Sequence, residues 1–123
     1  MNWKQIRSYL EGKIFLVGVS FIDKYGDCTD QFQTHGTVDE LTNEGFFKIK
    51  RMDNSIFQMP YDQDSIQKAE NIVYRETDTG EIISQPDFIM TWEIITAEGD
   101  NFEQIKTLGI SHLNRMRSGL IGN

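Results

Sequence analysis

The segment Phe46-Phe47-Lys48-Ile49-Lys50-Arg51-Met52-Asp53-Asn54-Ser55-Ile56-Phe57-Gln58-Met59-Pro60 alternates apolar and polar residues on either side of a polar turn. Phe47 and Ile49 alternate with Lys48 and Lys50, and Phe57 and Met59 flank Gln58, which is the pattern of two half-buried strands. Cross-strand partners share a face, so Ile49 must oppose Phe57 and Phe47 must oppose Met59. That register puts Arg51 opposite Ser55 and leaves a three-residue loop, Met52-Asp53-Asn54. A two-residue loop would set Lys50 against Phe57 and lose the match. The three-residue form requires a left-handed residue at its end, a conformation Asn54 tolerates. Pro60 has no donor for the ladder and closes the second strand.

Outward from this hairpin, Lys13–Asp23 reads as a strand that is apolar on both faces. Phe15, Val17, Val19 and Phe21 line one side and Ile14, Leu16 and Ile22 the other, so the strand is central or covered twice. Before it, Trp3, Ile6 and Leu10 recur at helical spacing over Asn2–Glu11, and Gly12 stops that helix. Tyr25-Gly26-Asp27 is turn chemistry, and two weaker strands follow at Asp30–Thr34 and Gly36–Leu41. Asp62–Glu70 predicts one or two helical turns capped by Asp62 or Asp64. Ile72–Thr77 and Glu81–Ser84 predict a second hairpin around Asp78-Thr79-Gly80. Pro86 opens the strand Asp87–Thr96, where Phe88, Met90, Trp92 and Ile94 share a face. Asn101–Leu113 predicts a weak helix interrupted by Gly109, and residues 114–123 a frayed tail. The expected fold is α+β and β-rich: one domain over 1–123, a small bent antiparallel sheet or barrel with a short N-terminal helix and a weak C-terminal helix.

Charge is divided unevenly along the chain. Ser20–Glu103 holds 18 of the 19 carboxylates against 6 of the 12 Lys and Arg, a net −12, while both ends are weakly basic. A duplex would meet repulsion on such a body, which argues against nucleic acid as a partner. The longest apolar run, Ile14–Val19, is far short of the roughly 20 residues of a membrane-spanning helix. No secretory signal is visible, and the single cysteine, Cys28, suits a reducing compartment, so the expected location is the cytoplasm.

Chemistry-bearing motifs are sparse. His35 and His112 lack metal-ligand spacing, and no phosphate loop or nucleophile elbow is present, so no metal, cofactor or catalytic residue is expected. Cys28 and His35 could form a nucleophile–base pair only if a turn intervened, since seven strand residues span about 23 Å. Asp23, Asp27 and Asp30 lack the spacing and terminal Glu of a calcium loop and read as turn capping. Asp87 and Glu93 are about 20 Å apart on an extended strand, too far for paired acid–base work. The basic ends, Lys4, Arg7, Lys13, Lys106, Arg115 and Arg117, are expected to pair with the domain's own acidic body.

The stretch Gly45–Pro60, with Phe47-x-Ile49 and Ser55-Ile56-Phe57-Gln58-Met59-Pro60, continues through Ala69-Glu70-x-x-x-Tyr74-Arg75 and Thr79-Gly80-Glu81 to Pro86-Asp87-Phe88-x-x-Thr91-Trp92. Together these motifs resemble small uncharacterised bacterial proteins with a β-barrel-like core, some of them found in toxin–immunity loci. The resemblance covers about half the chain and carries no site residues with it. The expected function is a non-enzymatic intracellular protein-binding domain, immunity-like, whose acidic surface meets a basic protein. Candidate partner-binding residues are Asp27, Asp30, Asp39, Glu40, Glu44, Asp78 and Glu81. The alternative is a small-ligand binder or minor enzyme with a pocket near Tyr74 and Trp92.

Overall fold

The computed structural model describes residues 2–70, 73–77, 79–83, 85–96 and 100–110, and the backbone of 116–118. Helix α1 spans Trp3–Leu10, and Asn2 caps it reciprocally with Gln5: Gln5 N–H donates to Asn2 Oδ1 and Asn2 N–H to Gln5 Oε1. This is a capping box, which satisfies two otherwise orphaned donors. Gly12, at φ 89°, takes the left-handed conformation that lets the chain turn out of the helix into β1, Ile14–Ile22.

Strand β1 is the centre of the main sheet. It pairs with β2, Cys28–Leu41, on one side and with β8, Phe88–Ile95, on the other. The two weaker strands expected over Asp30–Leu41 are thus one continuous strand. Gly36 lies inside it because a Cβ there would sit 2.3 Å from the Lys50 carbonyl oxygen. Without a side chain at that point the neighbouring strand can approach. That neighbour, β3 (Phe46–Lys50), pairs only with the Thr37–Leu41 end of β2, around an extra residue at Asp39. Strand β4, Ile56–Pro60, then pairs with β3 in the expected register: Phe47 faces Met59 and Ile49 faces Phe57. Arg51 N–H donates to the Ser55 carbonyl at 2.9 Å, and Asn54 has φ 69°, as the three-residue loop requires.

After β4 come a short 3₁₀ turn, Gln63–Ser65, capped by Asp62, and the two-residue strand β5, Gln67–Lys68. Strands β6 (Tyr74–Arg75) and β7 (Ile82–Ile83) form a separate small hairpin. Helix α2, Phe102–Leu108, ends at Gly109, and β9 is Met116–Ser118. The main sheet runs β4-β3-β2-β1-β8, with β5 and β9 sharing the far edge of β8.

The architecture is the expected β-rich α+β fold, with two departures. The sheet is mixed and open: β8 runs parallel to β1, and among the described residues β4 and β8 do not pair. Period-2 alternation assigns faces but not direction, so Phe88, Met90, Trp92 and Ile94 fit β1 equally well either way round. In addition, Met116–Ser118, within the tail expected to fray, adds to β8 opposite Trp92–Ile94. The rest of 114–123, the turn residues 97–99 and the distal part of the helix expected to reach Leu113 lie outside the described residues.

The inner face buries Phe15, Val17, Val19 and Phe21 from β1 against Phe32 and Val38, Phe47 and Ile49, Phe57 and Met59, and Met90, Trp92 and Ile94. Phe102 of α2 packs on Phe21 with ring centroids 4.6 Å apart. Leu16 and Ile22, on the other face of β1, are also buried, as a doubly covered strand requires. Trp92 is in this core, as its place on the alternating face predicts. Trp92→Ala should therefore cost about 3–5 kcal/mol in chemical denaturation, and Thr91→Ala on the opposite face far less. Equal midpoints for the two variants would contradict these face assignments.

Candidate functional site

Four consecutive residues of β2, Phe32 to His35, line a cleft of about 350 Å³. Successive strand residues point to opposite faces, so a cleft touching all four runs along the flank of the strand. It opens where β3 no longer accompanies β2. Its other walls are the β3–β4 loop, the end of α2 and the loop between β6 and β7.

His35 and Glu76 form the floor. Nδ1 of His35 hydrogen-bonds Glu76 Oε2, and the two side chains are only 11% and 5% exposed. A buried carboxylate without a donor would be costly, and His35 supplies one. Glu81 stands above, its Oε2 3.8 Å from His35 Nε2 and its side chain 46% exposed. Local backbone geometry sets the two carboxylates: Glu76 N–H donates to the Glu81 carbonyl at 2.9 Å and Gly80 N–H to the Glu76 carbonyl at 2.8 Å. Gly80 takes φ 74° to close this loop, and Thr77 N–H donates to Gln33 Oε1 at 2.8 Å, tying the loop to β2.

Arg51 forms the opposite wall and is fully engaged by its own chain. Its Nε donates to Ser55 Oγ at 2.9 Å, and its terminal nitrogens donate to the Lys106 carbonyl at 2.8 Å and to the Thr107 carbonyl. Those carbonyls are among the unsatisfied acceptors at the end of α2, where a cation also complements the helix dipole. Burial lowers the Arg51 pKa from its usual value, opposed by the charges of Asp53 and Glu76; the guanidinium stays protonated. The side chain joins α2 to the hairpin. Lys106, the other cation on the cleft, reaches Asp30 at 3.4 Å and Glu103 at 3.9 Å. Asp53, fully exposed, accepts from both Ser55 Oγ at 2.5 Å and Ser55 N–H at 2.9 Å, and these bonds hold its pKa below the usual carboxylate value.

A carboxylate oriented on Nδ1 with Nε2 toward a cleft is the arrangement of a general base. Among the described residues, however, no hydroxyl or thiol hydrogen-bonds the His35 ring, and no group of three metal-ligating side chains is present. Cys28 lies seven residues away on the same strand as His35, exposed, its Sγ donating to the Asp30 carbonyl.

The candidate carboxylates are distributed over separate places. Asp27 is exposed on the β1–β2 turn, whose N–H groups are capped by Asp23, and Asp30 pairs with Lys106. Asp39 is the extra residue of the β2 bulge, Glu40 faces Lys48 across the strands at 3.4 Å, and Glu44 is exposed on the β2–β3 turn. Asp78 lies outside the described residues. Of the seven, the cleft lining includes Glu81. Trp92 is core, the Tyr74 hydroxyl accepts from Glu70 N–H at 3.0 Å, and neither residue lines the cleft beside His35. A second cleft of about 330 Å³, lined by apolar side chains such as Ile6, Ile66 and Phe88, lies beside α1. His35, Glu76 and Arg51 lie outside the seven candidates; in sequence, Glu76 is marked only by its place near the Thr79-Gly80-Glu81 turn. Of the basic ends, Lys106 pairs with Asp30 and Glu103 as expected, and Arg7 contacts Glu11 at 3.8 Å.

No family model, curated protein sequence or solved structure matches the chain.

Two outcomes follow for the cleft walls. Arg51→Met should destabilise the protein by about 2–3 kcal/mol, and amide exchange should accelerate across Phe102–Leu108, since a seven-residue helix does not stand alone. Arg51→Lys should recover only part, lacking the planar fork. Asp53, with its folded pKa depressed, supports the loop at neutral pH, above the unfolded value of about 3.9. That support is lost as pH falls through the folded pKa. Carboxyl titration by NMR should find Asp53 below the ordinary range, and Ser55→Ala should raise it.

Proposed function

We propose that this chain is a non-enzymatic protein-binding domain of the immunity type, cytoplasmic, that recognises a basic partner through the cleft between β2 and the β6–β7 loop. The observation that carries this reading is which charges at the cleft are already engaged. Arg51 is held by two carbonyls and two hydroxyls, and Lys106 by Asp30 at 3.4 Å. Glu81 remains a half-exposed carboxylate at the mouth. The side chains lining the cleft carry two formal positive charges, Arg51 and Lys106, against three negative, Asp53, Glu76 and Glu81. With the whole chain at −7, an approaching cation is attracted from a distance and meets the half-exposed Glu81 carboxylate on arrival. The cleft volume is at the lower end of small-ligand sites, which favours a compact cationic metabolite as the second reading.

The test is binding to immobilised Lys- and Arg-containing peptides beside acidic peptides of the same length. Basic peptides should bind and acidic ones should not. The association rate should fall steeply between 0.01 M and 0.15 M salt, as the screening length shortens from about 30 Å to 8 Å. Neutralising Asp39, Glu40 and Glu44 together, away from the cleft, should lower that rate only modestly. A salt-insensitive rate, or binding to acidic and basic peptides alike, refutes electrostatic recognition.

A further inference from the structure

We propose that the gap between His35 Nε2 and Glu81 Oε2 is a recognition point for a single alkylammonium or guanidinium group. This rests on the cleft being the recognition centre, and it names what the cleft takes. The two atoms are 3.8 Å apart, an ion-pair contact when the ring is protonated but beyond hydrogen-bond length, so with the ring neutral a donor is needed to join them, and both residues line the same cleft. Glu76, buried and acceptor-only as a carboxylate, takes the proton on Nδ1. In the neutral ring Nε2 then carries a lone pair. The cleft wall therefore presents two acceptors, one aromatic nitrogen and one carboxylate oxygen, with room for a donor between them.

A group with several N–H donors on one positive centre meets this requirement. An ammonium can donate to both acceptors from one nitrogen, and a guanidinium from two. An anion would meet Glu81 directly while Arg51 and Lys106 are committed to Ser55, α2 and Asp30. A neutral apolar group would leave both acceptors without donors and desolvated. Backbone bonds hold Glu76 and Glu81 in register with each other, Glu76 N–H on the Glu81 carbonyl and Gly80 N–H on the Glu76 carbonyl.

The group can belong to a Lys or Arg side chain of a protein or to a free amine. The test uses the full chain with four probes: n-butylammonium, acetyl-Gly-Lys-Gly-amide, acetyl-Gly-Arg-Gly-amide, and the Lys tripeptide with norleucine in place of Lys. Binding is read from the ¹⁵N resonance of His35 Nε2 and the carboxyl resonance of Glu81. The cationic probes should move both resonances, and Glu81→Gln should weaken their binding by roughly threefold to tenfold. Asp64→Asn, at an exposed carboxylate on the turn after β4 that does not line this cleft, should leave binding unchanged. Binding of butylammonium as tightly as the peptides supports the site with a free amine as source; binding of the peptides alone supports it with a protein as source. Unchanged affinity in Glu81→Gln, with peptide-induced shifts elsewhere in the cleft, overturns this site and leaves the protein-binding reading standing. Equal binding of the norleucine peptide overturns the site and the electrostatic reading together. Failure of every cationic probe to bind does the same.

Discussion

Everything in this molecule is arranged around the burial of β1 on both faces. Phe15, Val17, Val19 and Phe21 enter the core on one side, and Leu16 and Ile22 are covered on the other. Such a strand cannot sit at a sheet edge, where one row of its peptide groups would face water beside wholly apolar side chains. It takes β2 through the short turn at residues 23–27 and β8 from far along the chain. The starts of β1 and β8 are joined by two 2.8 Å bonds, Ile14 N–H to Asp87 Oδ2 and Asp87 N–H to the Ile14 carbonyl. A parallel partner must begin at the same end of the sheet; β4 already finishes at that end, so the chain after it has to cross the sheet sideways to reach the free side of β1. That crossing segment carries the β6–β7 hairpin, and with it Glu76 and Glu81, to the side of β2 where His35 waits.

A second constraint, at Gly36, makes the cleft. The backbone of β3 comes so near that no Cβ fits, and pairing between β2 and β3 is confined to the stretch from Thr37 onward. Along Phe32 to His35, β2 is flanked by loops and by the end of α2, giving a flank lined with polar side chains. Arg51 sits at the point where β3 departs and ties α2 down. The same side chain that closes the hairpin thus fixes the far wall of the cleft.

Among the described residues, the partly exposed Asp30 and Glu40 pair with Lys106 and Lys48, and the buried Glu76 with His35. Others lie on turns at opposite ends of β2. On the proposed reading, long-range attraction for a cation comes from the sum of these charges and short-range selectivity from His35 and Glu81, which line one cleft.

What the sequence by itself determined is the local geometry. The register of the Phe46–Pro60 hairpin, the left-handed Asn54 and the faces of β1 and β8 all follow from side-chain alternation and turn chemistry, which act over a few residues. The tertiary structure alone decided the parallel pairing of β1 with β8, the continuity of β2 through Gly36 and the open sheet, because alternation is blind to strand direction and to which distant strand arrives. It also decided the site. His35 and Glu76 are 41 residues apart, and Arg51 reaches carbonyls 55 and 56 residues away. Those distances in sequence carry no period or motif. The first is closed by the crossover between β4 and β8, the others by the packing of α2 that follows β8.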